Sequence, residues 1–145
     1  MGLFTSFDIA GSGMSAQRLR SDIISQNIAN VTSTRSQNGG PYRRKTVVFA
    51  EKNGNAFGKI LLQARGITGS GVKVTKIVED HDAQMNMVYD PSHPDADENG
   101  YVTYPNVNII TEMTNMIDSS RAYEANATAF EAAKAMATRG LQIGQ

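Results

Sequence analysis

The sequence predicts an α+β fold, with one long helix at each end and a small β-rich domain between them. Three observations carry this. Apolar residues recur at helical spacing from about Ser6 to Val31 and again from about Asn108 to Arg139. The stretch between them breaks into short apolar or alternating runs, separated by clusters of Gly, Asn, Pro and Ser. A chain of 145 residues with 40% hydrophobic content and no Trp supports one modest domain with a limited core. The boundaries read as helix 1–33, β-rich domain 34–105 and helix 106–145.

The first helix carries two apolar stripes at heptad spacing. One is Ile9, Ala16, Leu19 and Ile23; the other is Phe7, Ala10, Met14, Ile24, Ile28 and Val31. They lie about 100° apart around the helix. Thr5 and Asp8 have the spacing of a capping box and would open the helix. Gly11 and Gly13 follow. Each costs a helix interior about 1 kcal/mol relative to Ala, so a bend or fraying is expected there unless something packs closely. Gly11-x-Gly13-x-x-Ala16 also fits a dinucleotide fingerprint, but no strand precedes it, and close helix packing is the better account. Asn30 continues the Ile9–Ala16–Ile23 stripe, where it either sets register or caps the helix. Asn27 and Asn126 carry the same two readings. Thr32 to Pro41 is a loop by composition.

The middle reads as short strands: Thr46–Phe49, Lys59–Leu62, Val72–Val74, Met85–Tyr89 and Tyr101–Tyr104. Pro105 forces an extended entry into the last helix, which Asn106 or Asn108 caps and Gly140 ends. Its apolar seam is Ile109, Met113, Met116, Tyr123, Ala127, Phe130, Ala137 and Leu141. Ordering two long helices costs more chain entropy than their apolar seams return by burial. The ends are therefore expected to be mobile in a dilute monomer and ordered in an assembly.

The net charge of zero hides an asymmetry. Arg35 to Lys76 holds nine basic residues against one acid, and Ile77 to Asp118 holds nine acids and no Lys or Arg. These halves either neutralise each other within one domain or dock positive to negative between subunits. The absence of Cys excludes disulfides and thiolate sites. No segment approaches the roughly 20 apolar residues of a membrane span, so no membrane insertion is expected. The start, MGLFTSFDIAGSGM, lacks the basic and apolar regions of a signal peptide, so any export would use an uncleaved signal. MGLFTS fits a short myristoylation pattern that carries little weight.

Signals for chemistry are weak. Asp95-x-Asp97-x-Asn99-Gly100 resembles half a calcium loop, but Asn106 stands where the bidentate Glu belongs, and an acidic turn is the better account. His81 and His93 lie in polar loop-like stretches without a ligand set. Arg43-Arg44-Lys45 is too short, and too close to the acidic half, to predict nucleic-acid binding. No catalytic residue, cofactor or metal is expected.

The motifs carry a resemblance. Ser120-Arg121-Ala122-Tyr123-Glu124-Ala125-Asn126, together with Ser25-Gln26-Asn27-Ile28-Ala29-Asn30-Val31-Thr32, resembles the signatures of the flagellar axial proteins of the rod and hook. Pro41–Phe49, Val88–Asp97 and Gly100–Asn108 narrow the resemblance to the C-type proximal rod components of the basal body. Residues Ala50 to Ser70 show no family motif. The resemblance implies a structural, non-enzymatic subunit. It would be exported unprocessed through the type III flagellar apparatus and built into the periplasmic drive shaft. Its terminal helices would pair as an antiparallel coiled-coil-like hairpin. The implied partners are copies of itself, other proximal and distal rod proteins, and the inner-membrane ring with its rod adaptor.

The expected packing and assembly residues are Ile9, Ala16, Leu19, Ile23, Asn27, Ile28 and Asn30 on the first helix. On the last they are Met113, Met116, Arg121, Tyr123, Asn126, Phe130 and Leu141. Arg43, Arg44, Lys45, Asp90, Asp95 and Asp97 are candidates for charge contacts between subunits. The competing readings are a small secreted monomeric binding module built on a helix hairpin, and an enzyme using His81 or His93. A monomer needs one stripe per helix, and the first helix here offers two.

Overall fold

The computed structural model describes residues 3–36, 39–52, 60, 64 and 69–143. In chain order the elements are α1 (Leu3–Ala29), β1 (Lys45–Glu51), β2 (Val72–Glu79), β3 (Asn86–Tyr89), β4 (Tyr101–Tyr104) and α2 (Ile109–Ile143). The fold is α+β, as the sequence predicts. Of the expected strand Lys59–Leu62, only Ile60 is described, and it is helical; the rest lies outside the described residues.

The two helices run antiparallel. The Phe7 and Phe130 rings sit 4.9 Å apart. A Cβ built on Gly13 would fall 2.5 Å from Asn126 Oδ1. Further along, the Ser21 and Ser119 hydroxyls are 2.8 Å apart, and Asn27 bonds to Glu112. Position rises along α1 as it falls along α2. Gly13 permits this closeness, so α1 runs through Gly11 and Gly13 without a break. The expected capping box is not used. α1 is already helical at Leu3, which leaves Thr5 and Asp8 inside it.

Asn108 caps α2, its Oδ1 accepting from Ile110 N–H at 3.0 Å and Thr111 N–H at 3.2 Å. Asn106 does other work: it receives the Arg44 N–H at 2.9 Å and donates to Asp80 O at 3.0 Å. Gly140 does not end α2, which continues to Ile143. A glycine stops a helix by turning left-handed, and Gly140 is not among the glycines with positive φ.

β1 and β2 pair antiparallel, with a bulge between Val48 and Phe49. β3 and β4 form a second two-stranded ribbon, closed by a loop in which Gly100 takes φ 80°. The β1–β2 hairpin packs on α1 on a side away from α2. Val72 N–H donates to Ser12 Oγ at 3.1 Å, and Val47 and Phe49 share a cleft with Ile23 and Ile24. α1 is therefore held between α2 and the hairpin.

Candidate assembly interface

Asn27 is fully buried near the C-terminal end of α1, and its amide has a complete set of partners. Its Nδ2 donates to Lys45 O and to Glu112 Oε2, each at 2.8 Å. Its Oδ1 accepts from Tyr42 Oη and Lys45 N–H, each at 2.9 Å. Glu112, also fully buried, receives Arg44 Nε at 2.9 Å and Nη2 at 2.7 Å on Oε1. This clamp joins the end of α1, the start of β1 and the first turn of α2. A buried polar group is tolerated only when its partners are supplied, so these elements hold one register. Burial raises the Tyr42 pKa, with Glu79 and Glu112 adding to the effect.

The inner side of α2 repeats Glu112, Ser119, Asn126 and Ala133, spaced seven apart and mostly small or polar. Glu112, Ser119 and Ala133 are buried. Glu112 and Ser119 do not belong to the apolar seam read from sequence. The heptad spacing was the signal that could have found them.

Both apolar stripes of α1 are partly covered within the chain. Each has buried members, Ala10 and Ile24 in one and Ala16 and Ile23 in the other, and α1 packs against α2, β1 and β2. Ile9, Leu19 and Ile28 are half-buried. The β1–β2 hairpin thus takes up part of the apolar surface that the sequence left to outside partners. Asn30 caps locally: its Nδ2 donates to Gln26 O at 2.8 Å, and its Oδ1 accepts from Ser33 Oγ at 3.1 Å.

α2 differs. Ile109, Ile110, Met113 and Ile117 are exposed, Ile110 at 78% and Met113 at 56%. Their spacing puts them in one stripe, turned away from the Glu112–Ser119 seam. Tyr123 and Leu141 are exposed as well, so four of the eight residues of the α2 seam read from sequence are not internal. Met116 is half-buried, as is Phe130 against Phe7, while Arg121 is exposed. Asn126 is half-buried, its Nδ2 donating to Ala122 O at 2.7 Å. Phe4 and Met136 are exposed too.

Three of the six charge candidates form ion pairs inside the chain. Arg44 meets Glu112 at 2.7 Å, Asp95 meets Arg35 at 2.7 Å, and Lys45 reaches Glu79 at 3.8 Å. Each pair crosses from the basic half to the acidic half. Asp97 Oδ1 accepts from the Asn99 and Tyr101 N–H groups. Asp90 Oδ1 accepts from Ser92 Oγ at 2.6 Å, and this bond, with one from the Ser92 N–H, holds its pKa below the usual carboxylate value. Arg43 makes no ion pair among the described residues. His81 lies 3.9 Å from Glu79, and His93 Nδ1 accepts the Asp95 N–H. Among the described residues no three His, Asp or Glu side chains converge on a metal-sized site, and no helix is long and apolar enough to cross a membrane.

Two family models match this chain. One, for flagella basal body rod proteins, covers residues 7–35. The other, for the C-terminal part of flagellar basal body rod FlgEFG proteins, covers residues 98–143. Among curated proteins, the chain is 45% identical to the flagellar basal-body rod protein FlgC of Borreliella burgdorferi, over 100% of this chain and 99% of that one. It is 45% identical to the Bacillus subtilis FlgC and 39% identical to that of Salmonella typhimurium, in both cases over the full length of each protein.

Proposed function

We propose a function from one premise, that this chain belongs to the flagellar basal-body rod protein family: it is a structural subunit of the rod. In finer detail, it builds the proximal rod by polymerising through its terminal helices, and the resulting periplasmic shaft carries motor torque to the distal rod and hook. Its neighbours are further copies, other rod proteins, and the inner-membrane ring with its adaptor. It reaches them through the type III export apparatus without loss of a signal peptide.

The observation that supports this best is the bare stripe Ile109, Ile110, Met113 and Ile117 on α2. An exposed apolar stripe on a helix is a binding surface. Close-packed apolar contacts also resist sliding, because dense interiors pass strain on directly. That suits a rotating shaft. The partial burial of both α1 stripes inside the chain favours the second reading, a monomeric binding module. The α2 stripe weighs against it, because a self-sufficient hairpin has no use for four large exposed apolar residues in a row.

Replacing Met113 and Ile117 together by Asp tests the proposal. The variant should keep wild-type helicity, since both residues are exposed, yet be absent from purified basal bodies and fail to restore swimming to a strain lacking the gene. Normal incorporation and swimming would overturn the assembly role of this face.

A further inference from the structure

The strands form two separate ribbons, and each has an open edge. The β3–β4 ribbon packs on no other described helix or strand. Two strands alone are marginally stable in water; a third strand or a helix is needed for independent stability. All four residues of β3 are exposed, Met87 and Tyr89 each at 63%. Asp90 N–H donates to Gly100 O at 2.9 Å, and with the register this makes Asn86 and Val88 the residues that bond to β4. The N–H and C=O groups of Met87 and Tyr89 therefore point outward. β3 has no Pro, Lys or bulge to guard that edge.

The β1–β2 ribbon is open along β2. Its β1 edge is closed at Lys45, whose N–H and C=O both bond to Asn27. On β2, Asp80 N–H donates to Arg44 O at 2.8 Å, so Lys76 and Val78 bond to β1 and Ile77 turns its backbone groups outward. Val72 N–H is taken by Ser12. Residues 74–79 are left as the free stretch, long enough for the four residues of β3.

The two open edges carry opposite charge. Residues 80–104 hold six acids (Asp80, Asp82, Asp90, Asp95, Asp97 and Glu98) and no Lys or Arg. Of the six, Asp95 alone forms an ion pair among the described residues. β2 carries Lys73 and Lys76, both exposed and without an ion pair among the described residues. Its one acid, Glu79, reaches Lys45 at 3.8 Å.

We propose that the β3 edge of one copy pairs with the β2 edge of a second copy, joining their ribbons into one sheet, with the acids around β3 meeting Lys73 and Lys76. This deepens the rod reading and rests on it. Backbone hydrogen bonds along the edge supply the attraction. The charges choose the partner: β3 against β3 sets acid against acid, and β2 against β2 sets lysine against lysine. The contact joins unlike edges, so it is heterologous and adds copies in a ring or a row.

Photo-cross-linking of the purified full chain tests this. Benzoylphenylalanine replaces Met87 in nitrogen-15-labelled protein, mixed at high concentration with unlabelled wild type, and Ile77 is replaced in a second preparation. Circular dichroism checks that each variant folds as wild type does. The expected adducts between labelled and unlabelled chains run from Met87 to residues 72–79 and from Ile77 to residues 85–90. The Met87 adduct should be lost when the unlabelled chain carries Lys73→Glu with Lys76→Glu, and kept with Lys73→Arg and Lys76→Arg. Adducts from Met87 confined to residues 85–90 of the other chain would show β3 paired with β3 and overturn the proposal. So would a Met87 adduct that survives the charge reversal, or the absence of any adduct between chains with both probes. Those failures leave the rod reading standing as long as the chain is found in basal bodies; absence from basal bodies is the failure of the rod reading itself, and the proposal falls with it.

Discussion

α1 and α2 are paired along much of their length, yet they meet opposite fates. α1 has two apolar stripes, both with buried members, and it packs on α2 and on the β1–β2 hairpin. α2 is covered on one side only, and its inner seam is largely polar or small: Glu112, Ser119, Asn126 and Ala133. Its large apolar residues, Ile109, Ile110, Met113 and Ile117, point outward. The amount of apolar surface on a helix thus says little about which helix seeks a partner. What decides is which elements the rest of the chain brings alongside it. Here the inner surface of α2 specifies register through hydrogen bonds, and the outer surface holds the unsatisfied burial.

The contrast breaks most sharply at the clamp. Arg44→Ala leaves Glu112 buried and uncompensated, and should destabilise the chain by about 3–5 kcal/mol, read as a fall in the urea midpoint. A loss below about 1 kcal/mol would mean that the clamp does not hold the helices in register. Phe130→Ala should cost about 2 kcal/mol, less than the roughly 3–5 of a fully buried ring, because Phe130 is half-buried against Phe7.

Glycine exchanges sharpen the same division. A Cβ at Gly13 meets the Asn126 side chain, whereas one at Gly11 meets nothing within 4 Å. Gly13→Ala should destabilise by about 1 kcal/mol, as overpacking outweighs the regained helix propensity. Gly11→Ala should stabilise by about 0.5–1 kcal/mol. Equal shifts of thermal midpoint in the two variants would remove the close helix approach at Gly13.

Tyr42 gives a pH signature. Its folded pKa lies above its unfolded value near 10, so the folded state holds the proton more tightly. The associated stability is complete below about pH 10 and is lost as pH rises through the folded pKa. Unfolding free energy should therefore fall more steeply above pH 10 in the wild type than in Tyr42→Phe; parallel curves would contradict the burial of this hydroxyl. The smallest effect on the isolated chain belongs to the outer face. Met113→Asp should change monomer stability by no more than about 0.5 kcal/mol, and a large loss would mean that the residue is internal after all.

Much of the fold was legible beforehand. Both helices and four of the five strands follow from periodicity and turn chemistry, which also narrow the cap of α2 to Asn106 or Asn108. The misses have physical causes. Thr5 and Gly140 carry local end signals, but a helix held by packing extends past weak local punctuation. The clamp was legible only in fragments. Asn27 and Arg44 stood out, but Glu112 and Tyr42 did not, because nothing in linear spacing brings residues 27, 42, 44 and 112 together. Of the two readings open for Asn30 the structure takes the cap, since its side chain finds Gln26 and Ser33 before any distant partner.

Local periodicity, turn residues and composition are enough to dictate that this chain forms two long helices around short strands, and its motifs are enough to mark it as a rod-family protein. They act over a few residues, and each can be read without knowing where the rest of the chain goes. Which stripe is covered, which acid is buried and which face stays bare depend on contacts such as Ser12 to Val72 and Asn27 to Glu112. Those contacts join residues many positions apart, and burial is a property of what lies alongside rather than of the residue, so folding alone assigned the internal seam and left the outer face of α2 to a neighbour.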